Sequence, residues 1–325
     1  MIYQDPVYGK NKITEPVILE LLNCQPLNRL KKISQHGATI YNKEYKKRVI
    51  TRHEHCLGVC LLLKRFNASL EEQIAGLLHD VSHTVFSHVI DRVFPSEEHD
   101  YHEKFHRQII TESKIPKILK KFKIDPEKVL DEENFPLLEK KLPALCADRL
   151  DYFLREVGLF FDHQVEPTLE SLAVIENQLV FVKRQQALKF AHHFIRMNDV
   201  FWANTFQEYL YDLLAQAIKE AVKKDYLVEA DFFSTEKEVF KKLRQPKDDS
   251  INRLLKKMKK AQEKNLVRVR KGGGVRIKSK IRVVDPLVLV NGEIKRLSTL
   301  DKKFVRLAHN FREKRSRPYW VRYND

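Results

Sequence analysis

At 325 residues with 43% hydrophobic content, the chain is long enough to bury a large core, as one large domain or two. It holds no run of about 18 or more apolar residues, and the opening MIYQDPVYGKNK lacks the apolar stretch of a signal peptide. Neither membrane insertion nor secretion is indicated, and the cytoplasm is the expected compartment. The formal charge of +16 is concentrated: residues 253–282 hold thirteen Lys and Arg against one acid, Glu263, a density that attracts phosphate as nucleotide, nucleic acid or anionic surface.

Asp5-Pro6 and Gly9 predict a short hairpin or loop over residues 1–12. The spacing of Val17, Ile18, Leu21 and Leu22, then Leu27, Leu30 and Ile33, predicts two helices divided at Pro26, with Gly37 ending the second. Residues 38–51 are polar, basic and β-branched, as in a loop or hairpin at the mouth of a site. TRHEHCLGV (51–59) opens an apolar helical run in which Arg52 and His55 share a face, and LLHDVSHTVFSHVID (77–91) is expected on a helix too. Residues 114–143, punctuated by Pro116, Pro126, Pro136 and Pro143, predict short helices and turns, and 142–161 returns to helix. A hairpin around Asn177-Gln178 and one long helical run over 186–224 follow. LVRVRKGGGVRIKSKIRVVDP alternates apolar and basic residues on both sides of Gly272-Gly273-Gly274, which predicts a β-hairpin with one cationic face. A second hairpin is expected over 288–297, around Asn291-Gly292, before a terminal helix and a basic tail. Cys24, Cys56, Cys60 and Cys146 lack zinc-finger spacing and read as small core residues.

The chemistry lies in His79-Asp80, followed by His83 and His88 on a run apolar enough to be buried. An imidazole beside a carboxylate is costly to bury without a strong partner, and a divalent metal is the commonest such partner. Zn, Fe or Mn suits this donor set, but two adjacent residues supply too few ligands. His53 and His55 upstream, and Asp148 and Asp151 three apart on one helical face downstream, are the candidates to complete it. A lone histidine such as His53, His83, His99 or His106 is more often a hydrogen-bonded core residue. The order H…HD…D, each member within an apolar helix, is what points to a metal.

The strings ITEPVILELLNCQPLNRLKKISQHGATI (13–40), TRHEHCLGV, AGLLHDVSHTVFSHVID and ADRLDYFLRE, in unbroken order, resemble the HD-domain phosphohydrolases. Within them the chain is similar to the branch of the deoxynucleoside triphosphate triphosphohydrolases, with a weaker echo at KIRVVDPLVLV (280–290). The resemblance implies a mainly α fold: an HD-domain helical core with small β-hairpins and a mixed α/β C-terminal region. A catalytic domain over 1–215 and a helical and basic-hairpin region over 216–325 are expected. It implies His55, His79, Asp80 and Asp148 as ligands of one divalent transition metal (Fe, Mn, Zn, Ni or Co), with Mg²⁺ on the substrate phosphates. His83, His88, Asp91 and His102 are the expected catalytic residues, with His88 as acid or substrate contact. Asp91 would pair with His102 near the leaving group, where a carboxylate raises an imidazole pKa and favours the protonated donor.

Arg52, Gln35, Asp151, Tyr152, Glu156 and Arg196 are the expected substrate contacts. Arg52 and Arg196 would meet phosphate, Gln35 the sugar 3′-hydroxyl, and Tyr152 the deoxyribose face. Glu156 stands where the family has an Asp at the sugar, and His36 where one branch has Leu. The implied activity converts a deoxynucleoside triphosphate to deoxynucleoside and triphosphate. Two alternatives stay open: a nuclease or phosphodiesterase acting on single strands, and a nucleic-acid-binding or regulatory protein with a structural metal. Expected partners are a nucleotide substrate, nucleic acid or a regulatory nucleotide at 253–282, and further copies of the chain in a homo-oligomer.

Overall fold

The computed structural model describes residues 1–94, 101–278 and 280–324, so His99 lies outside the described residues. Strands β1 (Ile2–Asp5) and β2 (Gly9–Lys12) form an antiparallel hairpin. Its turn is closed by the Asp5 carboxylate, which accepts from Val7 N (2.8 Å) and Tyr8 N (3.0 Å). Helices α1 (Pro16–Leu21) and α2 (Gln25–Leu30) each carry a proline in the first turn, where a missing N–H costs nothing. The break therefore falls before Pro26 rather than at it. Gly37 does not end α2; it begins a 3₁₀ turn (Gly37–Tyr41) at φ 51°. A Cβ there would lie 2.7 Å from Tyr211 Oη and 2.8 Å from Phe86 O, so only glycine fits.

Helix α3 (Arg52–Arg65) starts at a capping box between Thr51 and Glu54, and α4 (Leu70–Leu78) at Ser69. The helix expected over 77–91 stops at Leu78. His79 is its C-cap, and Phe86 and Ser87 take φ of 60° and 50° before α5 (Ile90–Val93). Buried side chains take over the backbone partners that a helix would have supplied. Arg29 Nη2 donates to Val81 O (2.9 Å) and His83 O (2.7 Å), and Glu236 Oε1 accepts from Phe86 N (3.3 Å). Short helices α6 (His106–Thr111), α7 (Ile115–Lys121) and α8 (Pro126–Leu130) lead to α9 (Ala147–Val157).

Helix α10 (Val165–Glu170) precedes β3 (Leu172–Ile175) and β4 (Gln178–Phe181), which turn at Glu176-Asn177, one residue earlier than expected. The long helical run is two helices, α11 (Arg184–Met197) and α12 (Thr205–Lys223). A π turn (Asn198–Trp202) separates them, and Asn204 caps the second anew through Phe206 N and Gln207 N. Helices α13 (Glu236–Arg244) and α14 (Asp249–Lys260) follow. Then come β5 (Leu266–Val269), β6 (Val275–Ile277), β7 (Leu287–Val290), β8 (Glu293–Arg296), α15 (Leu297–Leu300), α16 (Lys302–Ser316) and β9 (Tyr319–Tyr323).

The hairpin expected around Gly272-Gly273-Gly274 is not formed as such. Strands β5 and β6 exist, but β9 lies between them and pairs antiparallel with both, giving the order β5-β9-β6. A Cβ at Gly274 would run into the Val321 backbone, so the glycine lets β9 come in. The β7–β8 hairpin does form around Asn291-Gly292, both residues at positive φ as a tight I′-type turn requires. It joins β3 and β4 in a second sheet, through a parallel β4–β7 pair. The fold is mainly α with small sheets, and its core runs as one cluster from Ile13 to Val321.

Candidate metal centre

Three separated elements bring four donors together. His55 Nε2, on α3, lies 2.9 Å from Asp148 Oδ1 on α9, 3.2 Å from His79 Nε2 and 3.9 Å from Asp80 Oδ2. His79 Nε2 in turn lies 3.7 Å from Asp148 Oδ1 and 3.8 Å from Asp80 Oδ1. Donors around one ion at about 2.1 Å stand roughly 3.4 Å apart, which matches this spacing. The hydrogen bonds carry a second test of fit. His55 Nδ1 bonds to Asp151 Oδ2 (2.7 Å) and His79 Nδ1 to Gly76 O (2.8 Å), and both partners only accept. Both Nδ1 atoms therefore carry hydrogen, and the two Nε2 lone pairs face each other and a carboxylate. Something positive must lie between them, a proton or a divalent cation.

The electrostatics measure the same demand. Burial opposes charge on His79, but Asp80 and Asp148 outweigh it and lift its pKa to about 10. His55 is raised likewise, against its burial, by Asp148 and Asp151. Burial works against the ionised Asp148, and its bonds to His55 and His79 hold it well below the carboxylate range; Arg52 does the same for Asp80. The donor set fits a divalent transition metal, and carboxylates that favour a proton here would favour such an ion.

Behind the donors sits a network that spans the chain. Asp151 accepts from His55, from Tyr8 Oη (2.7 Å) and from Arg155 Nε (2.7 Å), and Arg155 Nη2 reaches Asp5 (2.9 Å). Asp151 is fully buried, so the structure makes it the partner that orients His55 rather than the substrate contact expected. Gly58 lets α3 approach α9 here, since a Cβ would run into Arg155 Nη2 and Asp151 Oδ1. Tyr8, Asp5 and Gly58 escaped sequence reasoning. Asp5-Pro6 marked a turn, but nothing linked that turn to a helix some 140 residues on.

Arg52 is buried and held by Asp80 Oδ2 (2.7 Å) and Ser87 Oγ (3.0 Å) at the edge of the cluster. Asp91 does not pair with His102. Its Oδ2 takes His88 Nδ1 (2.9 Å), three residues away, and its Oδ1 takes Tyr101 N (3.3 Å). Nor is a protonated donor favoured: burial outweighs Asp91 and lowers His88, and burial brings His102 down to about 4. His83 is buried and stacks on His102 with centroids 3.9 Å apart, its Nδ1 without a partner. Donor atoms of Asp80, His83 and His102 also lie within 4.8 Å of one another.

Tyr152 is half-buried, with its ring 6.5 Å from His55 and edge-on to Trp202 at 5.0 Å. Gln35 is half-buried beside the Arg52 helix start, its Oε1 buried and unpartnered. Glu156 does not face a sugar site. It is buried with both oxygens taken, by His36 Nε2 (3.2 Å) and Trp202 Nε1, and His36 in turn holds Tyr45 Oη (2.7 Å). Arg196 is exposed and lies over Phe161, 4.2 Å from its centroid, away from the cluster. His53 takes no part, and His106 bonds to Leu78 O (3.1 Å) as a core histidine does. Arg149, one residue past Asp148 and not singled out from sequence, is bonded to Glu139 (2.6 Å).

The HD domain family matches residues 52–156, from the start of α3 to the end of α9. Uncharacterized protein YdhJ of Bacillus subtilis is 39% identical over 260 residues, 78% of this chain and 79% of its own. Metal-dependent phosphohydrolase cns2 of Cordyceps militaris is 34% identical over 233 residues, 69% of this chain and 67% of its own. The deoxynucleoside triphosphate triphosphohydrolase SAMHD1 of Gallus gallus is 32% identical over 108 residues, 29% of this chain and 17% of that protein. Among solved structures, the phosphohydrolase BT4208 of Bacteroides thetaiotaomicron shares the fold end to end, with TM-score 0.71, 16% identity and full coverage of both chains. With His55, His79 and Asp80 clustered and Asp148 bonded to His55, the chain belongs to the metal-dependent HD-domain phosphohydrolases.

Proposed function

We propose that the chain hydrolyses a deoxynucleoside triphosphate to deoxynucleoside and triphosphate at the His55, His79, Asp80, Asp148 centre. The observation that carries this reading is the four-donor cluster with a fixed guanidinium, Arg52, bonded to one of the donors. When bound there, a divalent ion supplies the activation of water and the polarisation of the phosphoryl oxygen under attack. Arg52, immobilised by Asp80 and Ser87, keeps N–H edges for phosphate oxygens. His88 Nδ1 donates to Asp91, which leaves Nε2 for the departing 5′-oxygen. An arriving polyphosphate raises the His88 pKa again and protonates that nitrogen. His83 and His102, stacked beside Asp80, line the same side.

The sugar reading has its own support. The unpartnered Gln35 Oε1 is an acceptor suited to a 3′-hydroxyl, and the Tyr152 ring, braced by Trp202, is a platform for deoxyribose. The partial likeness to SAMHD1, over 108 residues, agrees with a deoxynucleotide substrate. The test is incubation of the purified chain with each dNTP, each NTP and a short single strand, the products separated. Triphosphate released in one step from dNTP is the expected result; stepwise loss of phosphate, or no turnover of any nucleotide, overturns the reading. A second reading, cleavage of single-stranded nucleic acid, is favoured by the exposed Arg268, Arg270, Lys271 and Arg276 around β5 and β6. Faster turnover of the strand than of free dNTP would decide for it.

A further inference from the structure

The segment 280–285, between β6 and β7, is fixed at Arg282 and at Asp285 against elements that frame the metal centre. Asn198 Nδ2 donates to Arg282 O (2.9 Å), and Asn198 opens the π turn that ends in Trp202, the residue packed on Tyr152. Asp285 N donates to Pro143 O (2.9 Å), just ahead of α9, while its carboxylate accepts from Ser298 N (2.9 Å) and Ser298 Oγ (2.6 Å). Val283 and Val284 between these anchors are buried. The strap is therefore held in place, and Arg282 leaves it at a defined point.

That side chain is half-buried, and among the described residues its guanidinium has no hydrogen bond or ion pair. The Asn198 anchor sets Arg282 beside the turn that carries Trp202, and its charge is felt at both His88 and Tyr152. The neighbouring cations are differently placed: Arg52 is committed to Asp80 and Arg149 to Glu139, while Lys280 is exposed near Asp91 and Glu103. A partly desolvated guanidinium among other cations and without a carboxylate is unfavourable unless an anion completes it.

We propose that Arg282 is a phosphate-binding residue of the catalytic site, supplied by the C-terminal strap, and that it takes the phosphoryl groups beyond the one attacked. This rests on the phosphohydrolase reading above and adds to it a residue for the phosphates that are not attacked. A guanidinium forms paired, charge-assisted hydrogen bonds to such groups, and an orthophosphate held at the metal centre has no second phosphoryl group to offer it.

The test is binding of inorganic tripolyphosphate and of orthophosphate to the full chain, by calorimetry, in the wild type and in Arg282→Gln, Arg282→Lys and Arg306→Gln. Melting temperature and metal content are checked alongside. Arg282→Gln is expected to weaken tripolyphosphate binding by about tenfold or more, the loss of a charge-assisted contact, with orthophosphate little affected. Arg282→Lys should recover part of the loss, and Arg306→Gln, an exposed cation on α16, should stay within about twofold. Equal weakening by Arg306→Gln would overturn the proposal in favour of a general field, as would an Arg282→Gln affinity matching the wild type. If tripolyphosphate binding depends on Arg282 but no nucleotide is turned over, the strap assignment stands and the dNTP reading falls.

Discussion

His55 carries the heaviest structural commitment of the four donors, because the group behind its Nδ1 is a fully buried carboxylate that is itself held twice. Asp151 fixes the tautomer from behind, and Tyr8 and Arg155 fix Asp151. Tyr8→Phe removes one donor to that carboxylate without touching any metal ligand. Loss of such an outer partner typically weakens metal binding by about 10- to 100-fold, and we expect the lower end here since Arg155 remains. Titration with a metal buffer, with melting temperature as the fold control, reads this directly; an unchanged affinity would show that the hairpin contact does not tune the centre.

Helix α3 can serve the centre only because of what it lacks at one position. Gly58 stands where α3 crosses α9, and any Cβ would meet the Arg155 and Asp151 side chains. Gly58→Ala should therefore separate the helices, lower the melting temperature and strip the metal together, despite the better helix propensity of alanine. Retention of metal with a raised melting temperature would refute the packing argument. This element also marks what the sequence discloses. Imidazoles and carboxylates in apolar runs are costly, so His79-Asp80 pointed to a metal, with His53 or His55 and Asp148 or Asp151 as candidates; the family resemblance is what picked out His55 and Asp148. The end of α4 at Leu78 was not, because Arg29 and Glu236, distant in sequence, hold the loop backbone that follows. The Asp91 partner was misassigned for a related reason: the family resemblance implied His102, whereas the chain, turning at Phe86-Ser87, sets His88 against Asp91. Asp151 shares a helical face with Asp148 in the sequence pattern, and burial alone separates a ligand from its support.

At the scale of the whole molecule, the chain's two ends are structural parts of the fold. The first hairpin feeds Asp5 and Tyr8 into the centre, and β9 completes the β5-β9-β6 sheet. Alternation revealed β5 and β6 as strands, but a strand pattern specifies its buried face, not its neighbour, so the interposed β9 was invisible. Removing residues 318–325 should leave β5 and β6 unpaired, with rapid amide exchange over 266–277 and a melting temperature lower by about 5 °C, while the metal content holds. Unchanged protection of those amides would contradict the topology.

Acid should also weaken the fold. His163 is kept near a pKa of about 4 by burial first and then by His193 and Lys189, against 6.5 when free. Between those values the unfolded chain binds a proton that the folded chain refuses, so stability falls as pH drops from about 6.5 to about 4. His163→Gln should flatten the melting-temperature profile across that window; an identical slope would discount the residue.

The most direct measurement is the transition-metal content of the purified chain and of Asp148→Asn, by mass spectrometry of the ions, beside phosphoester turnover. About one ion per chain in the wild type, lost together with turnover in the variant, is the expected result. A variant that turns over substrate at the wild-type rate with no metal bound would contradict it.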